Sequence, residues 1–122
     1  MRFENRIQIF TEDVNRQQTL EFIMGIVKGF NYHTFKGVYE GKEEDSIKFD
    51  FWCSDKEAKR IKIYLIPYLL IHNQQDCIGF IEDNDKPYFM FLSGSMEKDY
   101  EEMIKDKKIL DKDSKTYQDI VI

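Results

Sequence analysis

The chain has 122 residues, 42% of them hydrophobic and 15% aromatic, so it is long enough and apolar enough to fold as one globular domain. Its formal net charge is −5, spread evenly along the chain, and this excludes a general nucleic-acid binding protein, which needs a basic face. No apolar run is long enough to span a bilayer, and Cys53 and Cys77 belong to no motif, so we expect no membrane association and a reduced, cytoplasmic setting.

The first part of the chain predicts a strand followed by a helix. Residues 6–11 alternate in polarity, which indicates a β-strand with Phe10 on one face. Thr11, Glu12 and Asp13 supply a capping side chain and acidic groups, which favour a helix start directly after the strand. Apolar residues then recur at helical spacing over residues 20–30 and predict an amphipathic helix of about four turns.

Residues 31–52 predict a β-hairpin, with a polar turn over residues 40–45. In its second strand Ile47, Phe49 and Phe51 alternate with Lys48, Asp50 and Trp52. We predict that Phe35 pairs with Phe49 and Gly37 with Ile47. This register places a second set of residues on the face of Lys48, Asp50 and Trp52, namely Tyr32, Thr34, Lys36 and Val38. A slip of one residue would exchange the two faces.

A second helix and a second strand complete the regular pattern. Ser54 and Glu57 form a capping-box sequence that opens the helix, and Pro67 is expected to kink it or to end its regular part. Residues 77–81 and 88–92 read as strands, and Ser95 is expected to cap a third helix. Residues 116–122 predict a short last strand or an arm on a neighbouring subunit.

The order of elements through residue 82 is β-α-β-β-α-β, the order of the ferredoxin-like fold. We therefore predict an α+β protein, a ferredoxin-like sandwich in which an antiparallel sheet carries two helices on one face. Residues 1–122 form a single domain, with a core over residues 6–82 and a C-terminal strand-helix extension over residues 86–122.

Two short motifs carry a family resemblance. The hairpin Gly37-Val-Tyr-Glu-Gly-Lys-Glu-Glu-Asp-Ser-Ile47, followed by a helix and by Asn73-Gln-Gln75 before a strand, resembles small ferredoxin-like proteins of phages and mobile elements. Their pattern is Gly-Tyr-Trp-x-Gly … Glu-x-Ser and then Asn-x-Gln-Glu-Ser/Ala-Val. The match spans residues 6–82 and departs from the pattern at Glu40 and Asp76. The resemblance implies a phage-type accessory protein that binds and blocks a host component, and it brings no catalytic residues.

The sequence contains no recognisable catalytic or metal-binding set. His33, His72, Cys53 and Cys77 lack the spacing of a zinc site, so we predict no metal and no cofactor. Cys53 as a nucleophile would need a base such as His33, and a small apolar residue that ends a strand is the simpler interpretation. The acidic runs at residues 43–45 and 82–85 are interpreted as solvated turns.

The uncovered face of the predicted sheet is the most informative surface. It would carry Phe10, Tyr32, Val38 and Trp52, and such apolar area is rarely left in water. Base stacking on RNA would explain it, but the acidic composition argues against this. Coverage by the extension, or packing of two subunits sheet to sheet, fits better, and we expect a homo-oligomer.

These observations give one main functional interpretation. We predict a non-catalytic phage-type accessory protein with a counter-defence role, which sequesters a small anionic, nucleotide-like ligand or blocks a host protein. The alternatives are a small enzyme on a dimeric sheet that uses His33, Asp50 or Cys53, and a structural phage component. A basic cluster on the second helix could receive a phosphate, although a solvated helix face is the simpler interpretation. The candidate ligand-binding residues are Phe10, Tyr32, Lys36, Lys48, Asp50, Trp52 and Arg60.

Overall fold

The structure, a computed structural model, describes the backbone of residues 5–106 and the side chains of residues 5–102. Five strands form one antiparallel sheet: β1 (Asn5–Glu12), β2 (Asn31–Tyr39), β3 (Lys42–Cys53), β4 (Cys77–Glu82) and β5 (Tyr88–Phe91). Their spatial order is β2-β3-β1-β4-β5. The helices are α1 (Arg16–Met24), α2 (Asp55–Arg60) and α3 (Gly94–Asp106). The predicted α+β class and the predicted order of elements are confirmed.

All three helices contribute to one core on one face of the sheet. The inward residues of β1, β3 and β4 are almost fully buried, and they are Ile7, Ile9, Ile47, Phe49, Phe51, Ile78 and Phe80. Phe22 and Ile23 of α1 join this core. Tyr100 of α3 also belongs to it, with only 2% of its surface exposed. The described part of the extension therefore adds a strand to the sheet edge and a helix to the core, and leaves the other face open.

The first helix is shorter than the sequence predicts. Strand β1 continues to Glu12, and the Asp13 amide donates to the carbonyl oxygen of Asp45 over 2.8 Å, which holds this segment beside β3. Asn15, in the left-handed conformation at φ 49°, then precedes the helix, which ends at Gly25. Thr11, Glu12 and Asp13 are thus strand and loop residues, because pairing with the sheet outweighs their capping tendency.

The predicted hairpin register is wrong, and with it the predicted faces of β2. Tyr32 pairs with Phe49 and Thr34 with Ile47, so Tyr32, Thr34, Lys36 and Val38 share the face of Ile47 and Phe49. The reason is the turn, which contains only Glu40 and Gly41 and has φ values of 50° and 78°. Positive φ at both positions is the signature of a tight hairpin turn whose twist suits the strands.

The second helix begins as predicted and then changes its geometry. The capping box is present: the Glu57 amide donates to Ser54 Oγ, and the Glu57 carboxylate accepts from the Ser54 amide. Beyond α2 the chain forms two π-helical segments, Ile61–Leu65 and Tyr68–His72, on either side of Pro67. Proline lacks the amide hydrogen of a regular helix turn, which accounts for irregular geometry around it.

The described residues include only part of the segment for which the sequence predicts a third helix and a last strand. A third helix is present as expected and begins at Gly94, but the predicted cap is wrong: Ser95 lies inside the helix, and Ser93 Oγ accepts the hydrogen bond from the Met96 amide over 3.3 Å. The predicted last strand or arm over residues 116–122 lies outside the described residues. Within residues 5–106, no helix has the length and apolar character required to cross a membrane.

Candidate functional site

A cleft of about 290 Å³ opens on the uncovered face of the sheet, beside the end of β1 and the start of β3. We call it the acidic cleft. Its lining includes three carboxylic acids, Glu12, Glu44 and Asp76, and no lysine or arginine among the residues that the structure describes. The cleft is also lined by aromatic, small and polar residues, among them Phe10, Phe35, Gly37, Tyr39, Ser46, Gln75, Cys77, Gly79 and Phe89. A small cation with apolar parts suits this lining.

Aromatic rings and two glycines shape the walls of the acidic cleft. Phe10 and Phe35 meet edge to face, with ring centroids 6.5 Å apart. A Cβ atom on Gly79 would come within 3.3 Å of Phe10, and one on Gly37 would lie 2.6 Å from Ser46 Oγ. Because Gly79 and Gly37 have no side chain, Phe10 lies directly against Gly79 and Ser46 directly against Gly37. This keeps the cleft open above the sheet.

Glu44 is an acid of the cleft that is half-buried and has no side-chain partner among the described residues. It lies in β3, paired with Gly37 of β2, at an even-numbered position that shares the open face with Ser46 and Lys48. Its side chain is half-buried and forms no hydrogen bond or ion pair with the described residues. A carboxylate held in a cleft without a partner is available to a bound cation.

Gln75 differs from Glu44, because both the oxygen and the nitrogen of its side-chain amide have hydrogen-bond partners in the protein. Its Oε1 accepts from the Thr11 hydroxyl over 3.2 Å and from the Glu12 amide over 3.3 Å. Its Nε2 donates to the Glu12 carboxylate over 3.3 Å and to the carbonyl oxygen of Asn73 over 3.0 Å. These bonds fix the side chain at the mouth of the cleft and orient Glu12 beside it.

Tyr39 and Cys77 close the cleft at the edge near β4. The Cys77 thiol donates to the Tyr39 hydroxyl over 3.8 Å. This hydrogen bond, together with nearby negative groups such as Glu40, raises the pKa of Tyr39. Tyr39 is therefore a neutral phenol at physiological pH, and its hydroxyl is able to donate a hydrogen bond to a ligand.

The structure separates the residues that the sequence analysis grouped together. Phe10 lines the acidic cleft, and Lys48 lies on the open face opposite His33. Tyr32 and Lys36 lie on the other face, where Lys36 forms an ion pair with Asp45 and lowers the pKa of that carboxyl. The prediction that Lys36 shares a face with Lys48 is therefore wrong, because the two-residue turn shifts the register.

The other predicted ligand-binding residues meet in a second cleft, of about 570 Å³, which we call the tryptophan cleft. Asp50, Trp52 and Arg60 line it together with Lys28, Phe30, Ser54, Lys56 and Glu57. It lies where β2 begins and β3 ends, and no residue lines both clefts.

The catalytic residues named in the enzyme alternative do not form a set. Cys53 is 1% exposed, and burial, with the nearby Glu57 carboxylate, raises its pKa to about 12. It points into the core, whereas His33 lies on the open face, so the two do not meet. Asp50 is engaged by Arg6, whose Nη2 lies 3.0 Å from its carboxylate. Within residues 5–102, no cluster of His, Cys, Asp and Glu could hold a metal ion.

Sequence reasoning missed Glu44, Gln75 and Tyr39 as site residues. Glu44 was assigned to a turn, but extending the alternation of β3 back to Lys42 would have put it on the open face with Lys48. Gln75 belongs to the Asn-x-Gln motif quoted above, which supplied the one signal for it. Its approach to Glu12, across 63 positions of sequence, depends on the pairing of β1 with β4.

Two solved structures resemble the chain. A phage SAM lyase in complex with S-methyl-5'-thioadenosine superposes with a TM-score of 0.56 and 14% sequence identity, covering 75% of this chain and 95% of that one. A phage SAM lyase in its apo state gives a TM-score of 0.53 and 15% identity, over 75% of this chain and 91% of that one. No protein-family model matches the chain, and no curated protein matches it significantly.

These similarities correct the main functional interpretation. Both neighbours are lyases, and this contradicts the prediction of a non-catalytic binding protein and the expectation that the chain is not an enzyme. The enzyme alternative is better supported, although not through Cys53. At this sequence identity the likeness establishes the fold, while the reaction must be argued from the acidic cleft.

Proposed function

We propose that the chain is a SAM lyase that converts S-adenosylmethionine into S-methyl-5'-thioadenosine in the acidic cleft. The observation that carries this proposal is the match between the cleft and the substrate. S-adenosylmethionine has a sulfonium and an ammonium group, and the cleft offers Glu12, Glu44 and Asp76 with no basic residue among its lining. The ring faces of Phe10 and Phe35 add the attraction of aromatic quadrupoles for a cation.

The same lining suits the chemistry. Formation of S-methyl-5'-thioadenosine breaks the bond between the sulfonium sulfur and the γ-carbon of the methionyl chain, and the sulfur keeps the electron pair. The new bond comes from the substrate itself, either through attack of its own carboxylate on the γ-carbon or through loss of a β-proton to a base. Neither route adds water or needs a protein nucleophile, in keeping with a cleft that offers carboxylates and hydrogen-bond donors.

We assign the roles as follows. Glu44, which has no partner among the described residues, attracts the cationic part of the substrate. Tyr39 orients the substrate by a hydrogen bond from its hydroxyl, and Gln75 holds the Glu12 carboxylate in position at the mouth of the cleft. The phenyl groups exclude water around the sulfonium. Because Glu12 and Gln75 are already held by hydrogen bonds, little free energy is lost in ordering them when the substrate binds.

Further features of the proposal concern topology, origin and assembly. We infer that the sheet has the ferredoxin-like arrangement, since β1 lies between β3 and β4 and is antiparallel to both. A phage-type, cytoplasmic enzyme fits the neighbours and the motifs described above. We also propose a homo-oligomer, because Phe89 and Phe91 are 64% and 60% exposed on the open face at the β5 edge of the sheet. Light scattering at micromolar concentration tests this last point, and a strict monomer would contradict it.

The lyase activity is tested with a matched pair of variants. Purified protein is incubated with S-adenosylmethionine, and S-methyl-5'-thioadenosine is quantified by chromatography. We expect the wild type and Glu43→Gln to form it, and Glu44→Gln to be slower by about a hundredfold. Glu43 is an exposed neighbour that pairs with Val38 on the other face, so its variant removes the same charge outside the cleft.

Two results would contradict the proposal. A wild-type protein that forms no thioadenosine is not a SAM lyase. Equal activity of Glu44→Gln and Glu43→Gln would show that the acidic cleft is not the place of reaction, because both variants carry the same net charge and differ only in where it was removed.

A further inference from the structure

The tryptophan cleft has no role in the proposed reaction, yet it has the volume of a ligand site. Its volume is about 570 Å³, within the range of small-molecule pockets in proteins. It is lined by basic side chains and aromatic rings, although the chain as a whole carries a net charge of −5. A positive cleft in an acidic protein calls for an explanation in terms of what binds there.

The two carboxylates of the tryptophan cleft, Asp50 and Glu57, already accept hydrogen bonds from groups of the protein. Asp50 accepts from Arg6 Nη2 over 3.0 Å and from Arg6 Nε over 3.3 Å. Glu57 accepts from the backbone amide of Lys28 over 2.8 Å and from the Ser54 amide over 3.2 Å. Their negative charge is therefore already engaged.

Two of the basic side chains, by contrast, are not engaged in ion pairs within the described part of the chain. Lys28 and Lys56 are exposed, and their ammonium groups form no ion pair with any described residue. Arg60 is held in place, since its Nη1 donates to the carbonyl oxygen of Ile26 over 3.2 Å. The cleft thus presents positive charge whose position is partly fixed by the backbone, which favours an anion.

Trp52 provides a platform beside these charges. Half of its surface is exposed, and the Arg6 guanidinium lies 4.9 Å from its ring centroid. Because the same guanidinium is bound to Asp50, the ring and the ion pair support each other. The half-buried ring of Phe30 lines the same cleft. A flat aromatic group is able to stack on the indole while a charged substituent reaches the lysines.

We propose that the tryptophan cleft is a second binding site, for an aromatic ring that carries a phosphate, of the class of nucleoside monophosphates. Trp52 stacks on the ring, and Lys28, Lys56 and Arg60 receive the phosphate. This site is separate from the acidic cleft, which repels anions, and it does not depend on the lyase activity.

Fluorescence of the protein tests this site directly, because Trp52 is the single tryptophan of the chain. Adenosine 5'-monophosphate is titrated into the protein, and adenosine serves as the control that lacks the phosphate. We expect saturable quenching by the monophosphate and none by adenosine over the same range. Lys56→Glu should weaken binding about tenfold or more, as expected when a charge-assisted hydrogen bond is lost and a repulsion is added.

Lys59→Glu is the matched control. Lys59 is an exposed residue of the same helix that does not line the cleft, so its variant has the same net charge and should change the affinity less than about twofold. The proposal is overturned if the monophosphate gives no saturable quenching at millimolar concentration, if adenosine quenches equally, or if the two variants weaken binding equally. The titration needs no turnover, so a failure of the lyase assay leaves its result intact.

Discussion

Asn73 and Thr19 share a buried hydrogen bond, in which Asn73 Nδ2 donates to Thr19 Oγ1 over 2.9 Å. Asn73 Oδ1 accepts from Asn15 Nδ2 over 3.1 Å, and the Asn73 carbonyl oxygen accepts from Gln75 Nε2 over 3.0 Å. One residue thus connects helix α1 to the side chain that we place at the mouth of the acidic cleft. The packing of the core and the geometry of the site are coupled through it.

The first prediction concerns this connection. Thr19→Val should lower the free energy of unfolding by about 1–3 kcal/mol, because Asn73 Nδ2 then remains buried without an acceptor. Thr19→Ser keeps the hydroxyl and should recover most of the loss. Urea unfolding of the three proteins measures the difference. If Val and Ser at this position gave the same stability, the hydrogen bond would contribute nothing, and the coupling would be disproved.

The second prediction contrasts two buried tyrosines. The Tyr100 hydroxyl has no hydrogen-bond partner among the described residues, whereas the Tyr68 hydroxyl bonds to Thr19. Tyr100→Phe should therefore leave stability unchanged or raise it by about 1 kcal/mol, and Tyr68→Phe should lower it by about as much. Thermal unfolding measures both. A clear loss of stability in Tyr100→Phe would reveal a partner for its hydroxyl and refute this expectation.

The third prediction is a loss of stability at alkaline pH. Burial raises the pKa of Cys53 from 9.0 to about 12 and that of Tyr100 from 10.0 to about 12. Raised values mean that the folded state holds these protons more tightly than the unfolded state. Their contribution to stability is therefore complete below pH 9 and is lost as the pH rises toward 12.

Unfolding by urea between neutral pH and pH 11 measures this loss, with the double variant Cys53→Ala/Tyr100→Phe as the comparison. The variant should lose less stability than the wild type over the alkaline range, because the two titrating groups are gone. Parallel curves for the two proteins would contradict the assignment of the effect to these residues.

The fourth prediction concerns the hairpin turn. Glu40 and Gly41 both have positive φ, a conformation that suits asparagine and glycine. Glu40→Asn should stabilise the protein by a few tenths of a kcal/mol, and Gly41→Ala should destabilise it by about 1 kcal/mol. No atom lies within 4 Å of a Cβ at Gly41, so this loss would come from the backbone alone. Thermal unfolding measures both. A Glu40→Asn variant less stable than the wild type, or a Gly41→Ala variant more stable than it, would contradict the turn geometry.

Local patterns predicted the elements of this fold correctly. The capping box of Ser54 and Glu57 and the alternation around Phe49 depend on neighbours within a few residues, and both are present in the structure. The end of strand β1 was harder to predict. The pairing of the Asp13 amide with Asp45 extends the strand past Thr11, and the sequence around Thr11 contains no sign of a partner that is 32 positions away.

Which residues of β2 lie on each face of the sheet depends on the register of β2 against β3. The polar run at residues 40–45 is compatible with a turn of two residues and with a longer one. The predicted partner of Phe49 is Phe35 and the observed partner is Tyr32, a shift of three positions, and a shift by an odd number exchanges the two faces of a strand. The structure uses Glu40 and Gly41 alone, and this exchanged the faces of Tyr32 and Phe35. Phe35, rather than Tyr32, therefore meets Phe10 in the acidic cleft.

The sequence by itself determined the class of fold, because periodicity and capping act through neighbours along the chain. It also placed Phe10 and Trp52 on the open face. Tertiary structure alone decided that Phe10, Glu44 and Gln75 line one cleft and Trp52 and Arg60 another. These groups come from different strands and loops, and their distances depend on strand order and register. Those in turn are fixed by the burial of the inward residues of β1, β3 and β4.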